Sequence, residues 1–152
     1  MSETELPTEP AALVRHLIEE APNNGNEEVV HEVFADSVEP LMDAEPESLT
    51  PEMMWSNLSD LRDAMPDLHH EIKDIRQAGD KVYVEYTMTG TFENEMEVHE
   101  TVFESTGEYA SMDGIIVTRF DDDKIDGWGN FAQNLEGFQD LGIVPSFEEL
   151  AG

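Results

Sequence analysis

Apolar residues recur at helical spacing through the first third of the chain, and this periodicity predicts three helices. Thr8 can cap the first helix, with Pro10 in its first turn, and Asn26 can cap the second. Thr50 and Pro51 mark the start of the third, which Pro66 ends. The predicted buried faces are Leu13, Val14, Leu17 and Ile18, then Val29, Val30, Val33 and Phe34, then Met54, Leu58, Leu61 and Met65.

Between the second and third helices, residues 35–49 contain two prolines and many acidic residues, which predicts a solvated connection. Beyond residue 67 the apolar period shortens to two, which is typical of strands. Two strands joined by a tight turn at 78–80 are predicted first. Further strands are predicted at 98–103, 109–120 and 124–131, and a short final helix would bury Leu135, Phe138 and Leu141.

Helices followed by hairpin-connected strands indicate an α+β fold, with the helices on one face of an antiparallel sheet. The chain has 152 residues, the usual size of one domain. We predict a single domain over residues 10–145, preceded by an acidic leader at 1–9 and followed by a tail at 146–152. No internal repeat is visible.

Charge narrows the possible partners. The chain has 36 acidic residues against seven lysines and arginines, a formal charge of −29. Nucleic acid and anionic membrane surfaces are disfavoured, because both are bound through clustered lysine and arginine. Such a surface suits an interior at molar salt, where charges are screened within about 3 Å. A halophilic source is therefore favoured over an ordinary acidic mesophilic protein.

Several classes of protein are excluded by what the sequence lacks. It has no cysteine, so disulfides, zinc–thiolate sites and cysteine nucleophiles are ruled out. No apolar run reaches the roughly 18 residues of a membrane span. The first ten residues are acidic, whereas a signal peptide begins basic and then turns apolar. We expect a cytoplasmic protein.

Six segments of the chain are similar, in their order, to segments of one known family. They are ALVRHLIEEAPNNGNEEVVHEVFAD at 12–36, MPDLHHEIKDI at 65–75, GDKVYVEYTMTGT at 79–91, STG at 105–107, TRFDDDKI at 118–125 and QDLGIVP at 139–145. Together they resemble the SnoaL-like polyketide cyclase family of the nuclear-transport-factor-like superfamily. The similarity extends over roughly residues 10 to 145.

This resemblance implies a curved sheet around a cone-shaped pocket that the N-terminal helices close, often in a homodimer or homotetramer. It implies intramolecular aldol ring closure of polyketide esters, with no metal and no organic cofactor. In the family a carboxylate in or just after the last strand acts as acid and base at carbon.

At that position the sequence departs from the family. The segment GWGNFAQNL, residues 127–135, carries no formal charge. The family carboxylate position falls on Gln133 or, shifted by one residue, on Ala132. Neither side chain can take a proton from carbon, because an amide has no useful basicity and alanine has no polar group. Catalysis of the family type would need another acid or base.

Two residues are candidates for that role. His70 lies in the apolar register of its strand, where a neutral imidazole facing a pocket could act as a base or a hydrogen-bond partner. The alternative is a satisfied core histidine, or one at a sheet edge. Asp113 lies in an apolar strand, where an acid is costly unless it is paired or functional. It either enters the pocket with a raised pKa or reaches solvent through a β-bulge.

Four residues are candidates for ligand binding. Tyr86 would present its phenol to the same interior as His70, although a buried aromatic with one hydrogen bond is the alternative. Trp128, Asn130 and Gln133 supply an aromatic wall and two amides, which suit a carbonyl or hydroxyl group. Alternatively, they are incidental residues of a central strand. No spacing typical of a metal site occurs, and Asp121 to Asp123 read as a solvated hairpin turn.

Two functions remain open. The first is a pocket protein that binds a small hydrophobic or carbonyl-containing molecule and acts as a cofactor-free cyclase or isomerase. The second is a noncatalytic ligand-binding or dimerisation module with the same fold. A pocket that brings titratable groups together favours the enzyme, whereas one filled by methionine and aromatic side chains favours the module.

Overall fold

The computed structural model describes residues 6–41, 48–98 and 101–132, in which three helices and seven strands are formed. The helices are α1 (Pro10–Glu20), α2 (Glu27–Val33) and α3 (Pro51–Ala64). The strands are β1 (Phe34–Pro40), β2 (His69–Ala78), β3 (Lys81–Thr91), β4 (Met96–Val98), β5 (Thr101–Phe103), β6 (Tyr109–Asp121) and β7 (Lys124–Ala132).

Local capping signals account for where the helices begin. The Asn26 side chain accepts a hydrogen bond from the Glu28 amide at 3.1 Å, and the Thr50 hydroxyl accepts one from the Met53 amide at 3.2 Å. The first helix differs from the prediction, because its N-cap is Glu9, with no side-chain bond, instead of Thr8. Pro10 at the first helical position has no amide proton to be satisfied, so this start needs one bond fewer.

Five strands form one curved sheet in the order β1-β7-β6-β3-β2, which confirms the α+β fold class. The pairs from β2 through β7 are antiparallel as predicted, but β1 runs parallel to β7 and makes the sheet mixed. The interpretation of 35–49 as a solvated connection is therefore wrong for its first part. Phe34 and Val38 of β1 are buried, so the strand is held by two inward apolar residues among polar ones.

Turn geometry agrees with the sequence at two hairpins. Gly79 has a positive φ of 63°, a backbone conformation that favours glycine, in the turn between β2 and β3. Asp122 has a φ of 59° in the exposed turn between β6 and β7, which asparagine and aspartate tolerate best after glycine. The one strand predicted at 98–103 is instead an antiparallel pair, β4 with β5, outside the main sheet.

The core lies between the three helices and one face of the sheet. Alternate residues of β3 and β6 point into it, and its fully buried members include Val14, Val33, Val82 and Val84. The apolar face of α3 is less deeply buried than the other two, since Met54, Leu58 and Leu61 keep partial exposure. The helix does not close fully on the sheet, and the space beneath it is a cavity.

The described helices are too short or too polar for any of them to cross a membrane. The final helix predicted around Leu135, Phe138 and Leu141, and the tail at 146–152, lie outside the described residues.

Candidate functional site

A cavity of about 270 Å³ lies between the helices and the inner face of the sheet. This is close to the lower end of the usual range for ligand pockets, roughly 300 to 1,000 Å³, and fits a molecule of one or two rings. All three helices and strands β1, β2, β3, β6 and β7 contribute to its wall. The lining is mostly aliphatic and aromatic, and no aspartate or glutamate occurs among the described residues that form it.

His70 lines this cavity from the edge strand β2. Its side chain follows the inward register, because His70 pairs with Met88 and Ile72 with Tyr86 across β2 and β3. Burial lowers the pKa of His70 from 6.5 to about 4, and the neighbouring His69 adds a smaller effect in the same direction. The imidazole is therefore neutral at pH 7. Its Nδ1 is buried and has no hydrogen-bond partner among the described residues.

The imidazole lies beside the phenol of Tyr86, with ring centroids 5.1 Å apart and planes inclined by 33°. Tyr86 donates a hydrogen bond to Asn130 Oδ1 at 2.7 Å, and burial raises the pKa of its phenol more than this bond lowers it. Tyr86 is 3% exposed, and Asn130 is exposed beside it at the rim. His70, Tyr86 and Asn130 thus form a row across the sheet, and their polar groups border the apolar lining of the cavity.

Glycine makes room for this row. A Cβ on Gly114, the residue paired with Tyr86 across β3 and β6, would lie 2.5 Å from the Tyr86 Oη and 2.7 Å from the backbone oxygen of Phe131. Real Cβ atoms are not found at such distances, so the phenol can occupy its place only because residue 114 has no side chain.

Trp128 lies in the opposite part of the wall. Its ring meets that of Phe34 edge-on, with centroids 5.4 Å apart and planes at 70°, an arrangement that aromatic pairs prefer. Phe34 belongs to β1, so the strand that the sequence did not predict fixes this aromatic wall. The structure thus brings three of the six candidate residues, His70, Trp128 and Asn130, to the wall of one cavity. Tyr86 contacts His70 and Asn130 beside that wall, and it borders the outer hollow.

Asp113 lies elsewhere. Its side chain is exposed on the outer face of the sheet, where it accepts a hydrogen bond from the Thr87 hydroxyl at 2.7 Å. Of the two predicted positions the solvent-exposed one is correct, but β3 and β6 pair without a bulge here. Consecutive side chains of β6 alternate between the two faces of the sheet, so Asp113 points outward while Met112 and position 114 face inward. It borders a second, open hollow of about 550 Å³ on the outer face.

The remaining candidate, Gln133, lies outside the described residues. Ala132, the other position that the family comparison indicates, borders the outer hollow and not the cavity. Within the described ranges no group of three or more histidines, aspartates or glutamates is placed to hold a metal ion.

Sequence reasoning missed two polar residues at the cavity. Asn57 lines it from the exposed side of α3, and its helical position carries no signal that separates it from a surface residue. Asn23, in the loop after α1, bonds to the backbone of His70 through both ends of its amide. Asparagine near a helix end usually indicates a turn, so this long-range contact has no local signature.

A curved sheet closed by helices around one apolar cavity defines the class of nuclear-transport-factor-like and ketosteroid-isomerase-like proteins. Within it, the chain belongs to the SnoaL-like polyketide cyclase family, whose model matches residues 12–141. A search of curated proteins gives no match.

Solved structures agree with this assignment. A candidate polyketide cyclase from Acidithiobacillus ferrooxidans is 25% identical over 93% of this chain and 98% of its own, with a TM-score of 0.71. A candidate SnoaL-like cyclase from Jannaschia is 15% identical, with a TM-score of 0.73 over 95% of this chain and all of its own. A ketosteroid-isomerase-like protein from Catenulispora acidiphila, solved with trimethylamine, is 15% identical over 86% of this chain and 92% of its own, with a TM-score of 0.65.

Proposed function

We propose that this protein binds a small, uncharged, mostly apolar molecule that carries a hydroxyl or carbonyl group, and that His70 exchanges a proton with it. The observation that carries this proposal is the Nδ1 of His70, buried at the cavity wall with no hydrogen-bond partner in the described part of the chain. Buried polar atoms are nearly always hydrogen-bonded, and each one left unpaired costs about 1–3 kcal/mol. A ligand in the cavity would supply the missing bond.

The lining determines which ligands are favoured. The imidazole of His70 is neutral at pH 7, and no lysine, arginine, aspartate or glutamate occurs among the described residues that line the cavity. An anionic ligand would lose its hydration there without gaining a cation, and the chain as a whole carries a charge of −29. Hydroxyl and carbonyl groups can bond to His70 and the amide of Asn130 without that cost.

Cofactor-free acid–base chemistry is the activity that fits this site. Neutral His70 can accept a proton, and Tyr86, held by Asn130, lies next to it along the sheet. A proton taken by His70 from the carbon beside a carbonyl would leave an enolate. In an isomerase the imidazolium would return the proton to another carbon of the ligand; in a cyclase the enolate carbon would bond to a second carbonyl carbon, and the oxygen of that carbonyl would take the proton. In this proposal His70 replaces the carboxylate that the family uses after the last strand.

A specific observation favours a second function, a noncatalytic binding module. A pKa of about 4 makes His70 a weak base, and the described cavity wall contains no carboxylate. An imidazole of this kind still accepts a hydrogen bond. The two functions share the ligand class and differ only in whether a proton is transferred.

Binding can be tested with three compounds of one shape. We expect 2-naphthol, which has a hydroxyl, to bind more tightly than naphthalene, which has none, and more tightly than anionic 2-naphthoate, as measured by calorimetry at pH 7. In His70→Leu the affinity for 2-naphthol should fall about tenfold, which is the value of one hydrogen bond, and the preference over naphthalene should be lost. Equal affinity of 2-naphthol for both proteins would contradict the role of His70.

Catalysis can be tested with 2-tetralone, an uncharged bicyclic ketone with acidic hydrogens beside its carbonyl. We expect the protein to accelerate exchange of these hydrogens in D₂O, followed by proton NMR, and His70→Ala to abolish the acceleration. Asp113→Asn is the matched control, because Asp113 lies on the outer face and should leave the rate unchanged. Binding of 2-tetralone without exchange would assign the noncatalytic function.

We also propose that the protein forms a homodimer through the outer face of its sheet. Ile115 and Phe131 are 40% and 55% exposed there, and Tyr83 is 39% exposed on the same face. The face also carries four of the seven basic residues of the chain, Lys73, Arg76, Lys81 and Arg119. Acidic residues of the same face, among them Glu71, Asp74, Glu85 and Asp113, match these charges. The face is therefore nearer to neutral than the chain as a whole, so repulsion between two copies is reduced where exposed apolar area is available.

A further inference from the structure

The loop that follows α1 is bound to the backbone of His70. The Asn23 Nδ2 donates to the His70 carbonyl oxygen at 2.9 Å, and the His70 amide donates to the Asn23 Oδ1 at 2.7 Å. The two residues are 47 positions apart in the sequence. One side chain thus satisfies both backbone groups of one residue.

The position of β2 explains why these groups are available. The strand lies at the edge of the sheet, so one side of its backbone has no neighbouring strand among the residues that the structure describes. The primary amide of asparagine carries one acceptor and two donors, which match an exposed peptide edge. Aspartate would lack the donor, and serine carries its donor and acceptor on a single oxygen of a shorter side chain, so it cannot present them on two separate atoms as the amide does. Asn23 therefore makes the two hydrogen bonds that a neighbouring strand would make, at the position of β2 that carries His70.

The loop itself is fixed from the opposite side. The Arg62 side chain, from α3, donates a hydrogen bond to the carbonyl oxygen of Pro22. Its guanidinium packs on Gly25, where an added Cβ would lie 2.7 Å from Nη2, and Gly25 has a positive φ of 72°. Asn23 thus projects from a segment tied to α3, and Pro22 beside it lines the cavity.

We propose that Asn23 is a positioning residue for His70, which holds the backbone of the edge strand so that the imidazole stays at the cavity wall. This inference rests on the proposed function in that it concerns the same histidine. Loss of the two bonds would free the edge of β2 to move away from the loop, and water could then reach the ring. The tilted contact with Tyr86 would loosen at the same time.

The test compares Asn23→Ala with Asn24→Ala by NMR of the histidine rings in the ligand-free protein. Asn24 is the matched control, because it lies in the same loop and its side chain donates to Glu20 Oε2, at 2.6 Å, and not to β2. In Asn23→Ala we expect the pKa of His70 to rise from about 4 toward 6.5. Asn24→Ala should leave the His70 ring as it is.

A purely structural role for Asn23 would lower the unfolding temperature without moving the ring titration. That result, with His70 titrating as in the unaltered protein, would overturn the inference. If Asn23→Ala does not fold, Asn23→Ser, whose single oxygen matches the two backbone groups less well than the amide, is measured instead and should give a smaller rise in the same direction. An unchanged titration in Asn23→Ser would equally overturn it.

Binding of 2-naphthol separates this inference from the proposed function. We expect Asn23→Ala to weaken binding about fivefold or more, and Asn24→Ala to leave it unchanged. If His70→Leu binds 2-naphthol as tightly as the unaltered protein, the proposed function fails, while the effect of Asn23 on the His70 titration is still decided by NMR. If the titration is unmoved but His70→Leu loses binding, only the positioning role fails.

Discussion

At the scale of single residues, His70 is buried like a core residue, but its imidazole gains less stabilisation from its surroundings than a core side chain usually does. It is 9% exposed, its Nδ1 has no hydrogen-bond partner within residues 6–41, 48–98 and 101–132, and its pKa is lowered by burial. Histidines kept only for packing are usually hydrogen-bonded, because an unpaired buried nitrogen costs free energy. We interpret the cost at His70 as the consequence of a site that needs the imidazole free.

Replacement of His70 by leucine should therefore stabilise the fold while it impairs the site. At pH 7 we expect the free energy of unfolding of His70→Leu to equal or exceed that of the unaltered protein by about 1 kcal/mol, since a buried polar group is exchanged for an apolar one. Urea unfolding followed by circular dichroism measures this. A loss of 2 kcal/mol or more would show that the imidazole supports the fold.

The same pair of proteins should differ more at low pH. The unfolded chain protonates His70 near pH 6.5, whereas the folded protein does so only near pH 4, so protonation favours unfolding in this interval. The contribution of neutral His70 to stability is complete above pH 6.5 and falls as the pH drops toward 4, by about 3 kcal/mol in total. Other groups titrate equally in the unaltered protein and in His70→Leu. We therefore expect this loss to show in the difference between the unfolding free energies of the two proteins, measured as a function of pH.

At the scale of elements, the pairing of β3 with β6 determines the shape of the cavity wall. Tyr86 on β3 needs the empty space over Gly114 on β6. Glycine within a strand weakens it, so its presence opposite a buried tyrosine indicates close approach.

Gly114→Ala should displace the phenol and weaken the sheet. We expect a loss of about 1–3 kcal/mol in unfolding free energy, because the added methyl group meets both Tyr86 and the backbone of β7. The fluorescence of tyrosine and the affinity for 2-naphthol should change as well. Ser111→Ala, an exposed change on the same strand, is the control and should alter neither.

Elements with local signals were predictable, and those fixed by distant partners were not. Helices α2 and α3 follow from Asn26 and Thr50, whose capping bonds reach only two or three residues along the chain. Strand β1 has little alternation of its own, because its place depends on β7. Likewise the face of Asp113 was left open, since apolar residues occupy both faces of β6, as Ile115 and Ile116 do.

At the scale of the whole molecule, the charge of −29 sets the conditions under which the fold is stable. Repulsion among surface carboxylates opposes compaction, and salt shortens its range from about 10 Å at 0.1 M to about 3 Å at 1 M. The net charge therefore bears on the salt environment that suits the protein and not on its fold.

We expect the unfolding temperature to rise as KCl increases from about 0.1 M to about 3 M, by 10 °C or more in order of magnitude, because screening removes this repulsion. Circular dichroism during heating measures the transition. Sucrose, which stabilises proteins without screening charge, is the control and should act more weakly. A midpoint that stays level or falls with KCl would argue against a halophilic protein.

The proposed dimer gives a second test at this scale. Phe131→Glu places a charge at the centre of the outer face and should convert the dimer into a monomer, as measured by sedimentation equilibrium at high KCl. Val102→Glu is the matched control, because Val102 is similarly exposed, at 53%, but lies on β5 outside the main sheet. Dissociation by both changes, or by neither, would exclude this face as the interface.

The parallel pairing of β1 with β7 has a consequence for the order of folding. Phe34 pairs with Ile125 across about 90 residues, whereas β2, β3, β6 and β7 join neighbours through shorter connections. Contacts between distant parts of a chain carry a larger entropic cost of loop closure and tend to form late. The antiparallel strands should therefore assemble first. Because Phe34 completes the aromatic wall, the cavity would come into existence only in the last steps of folding.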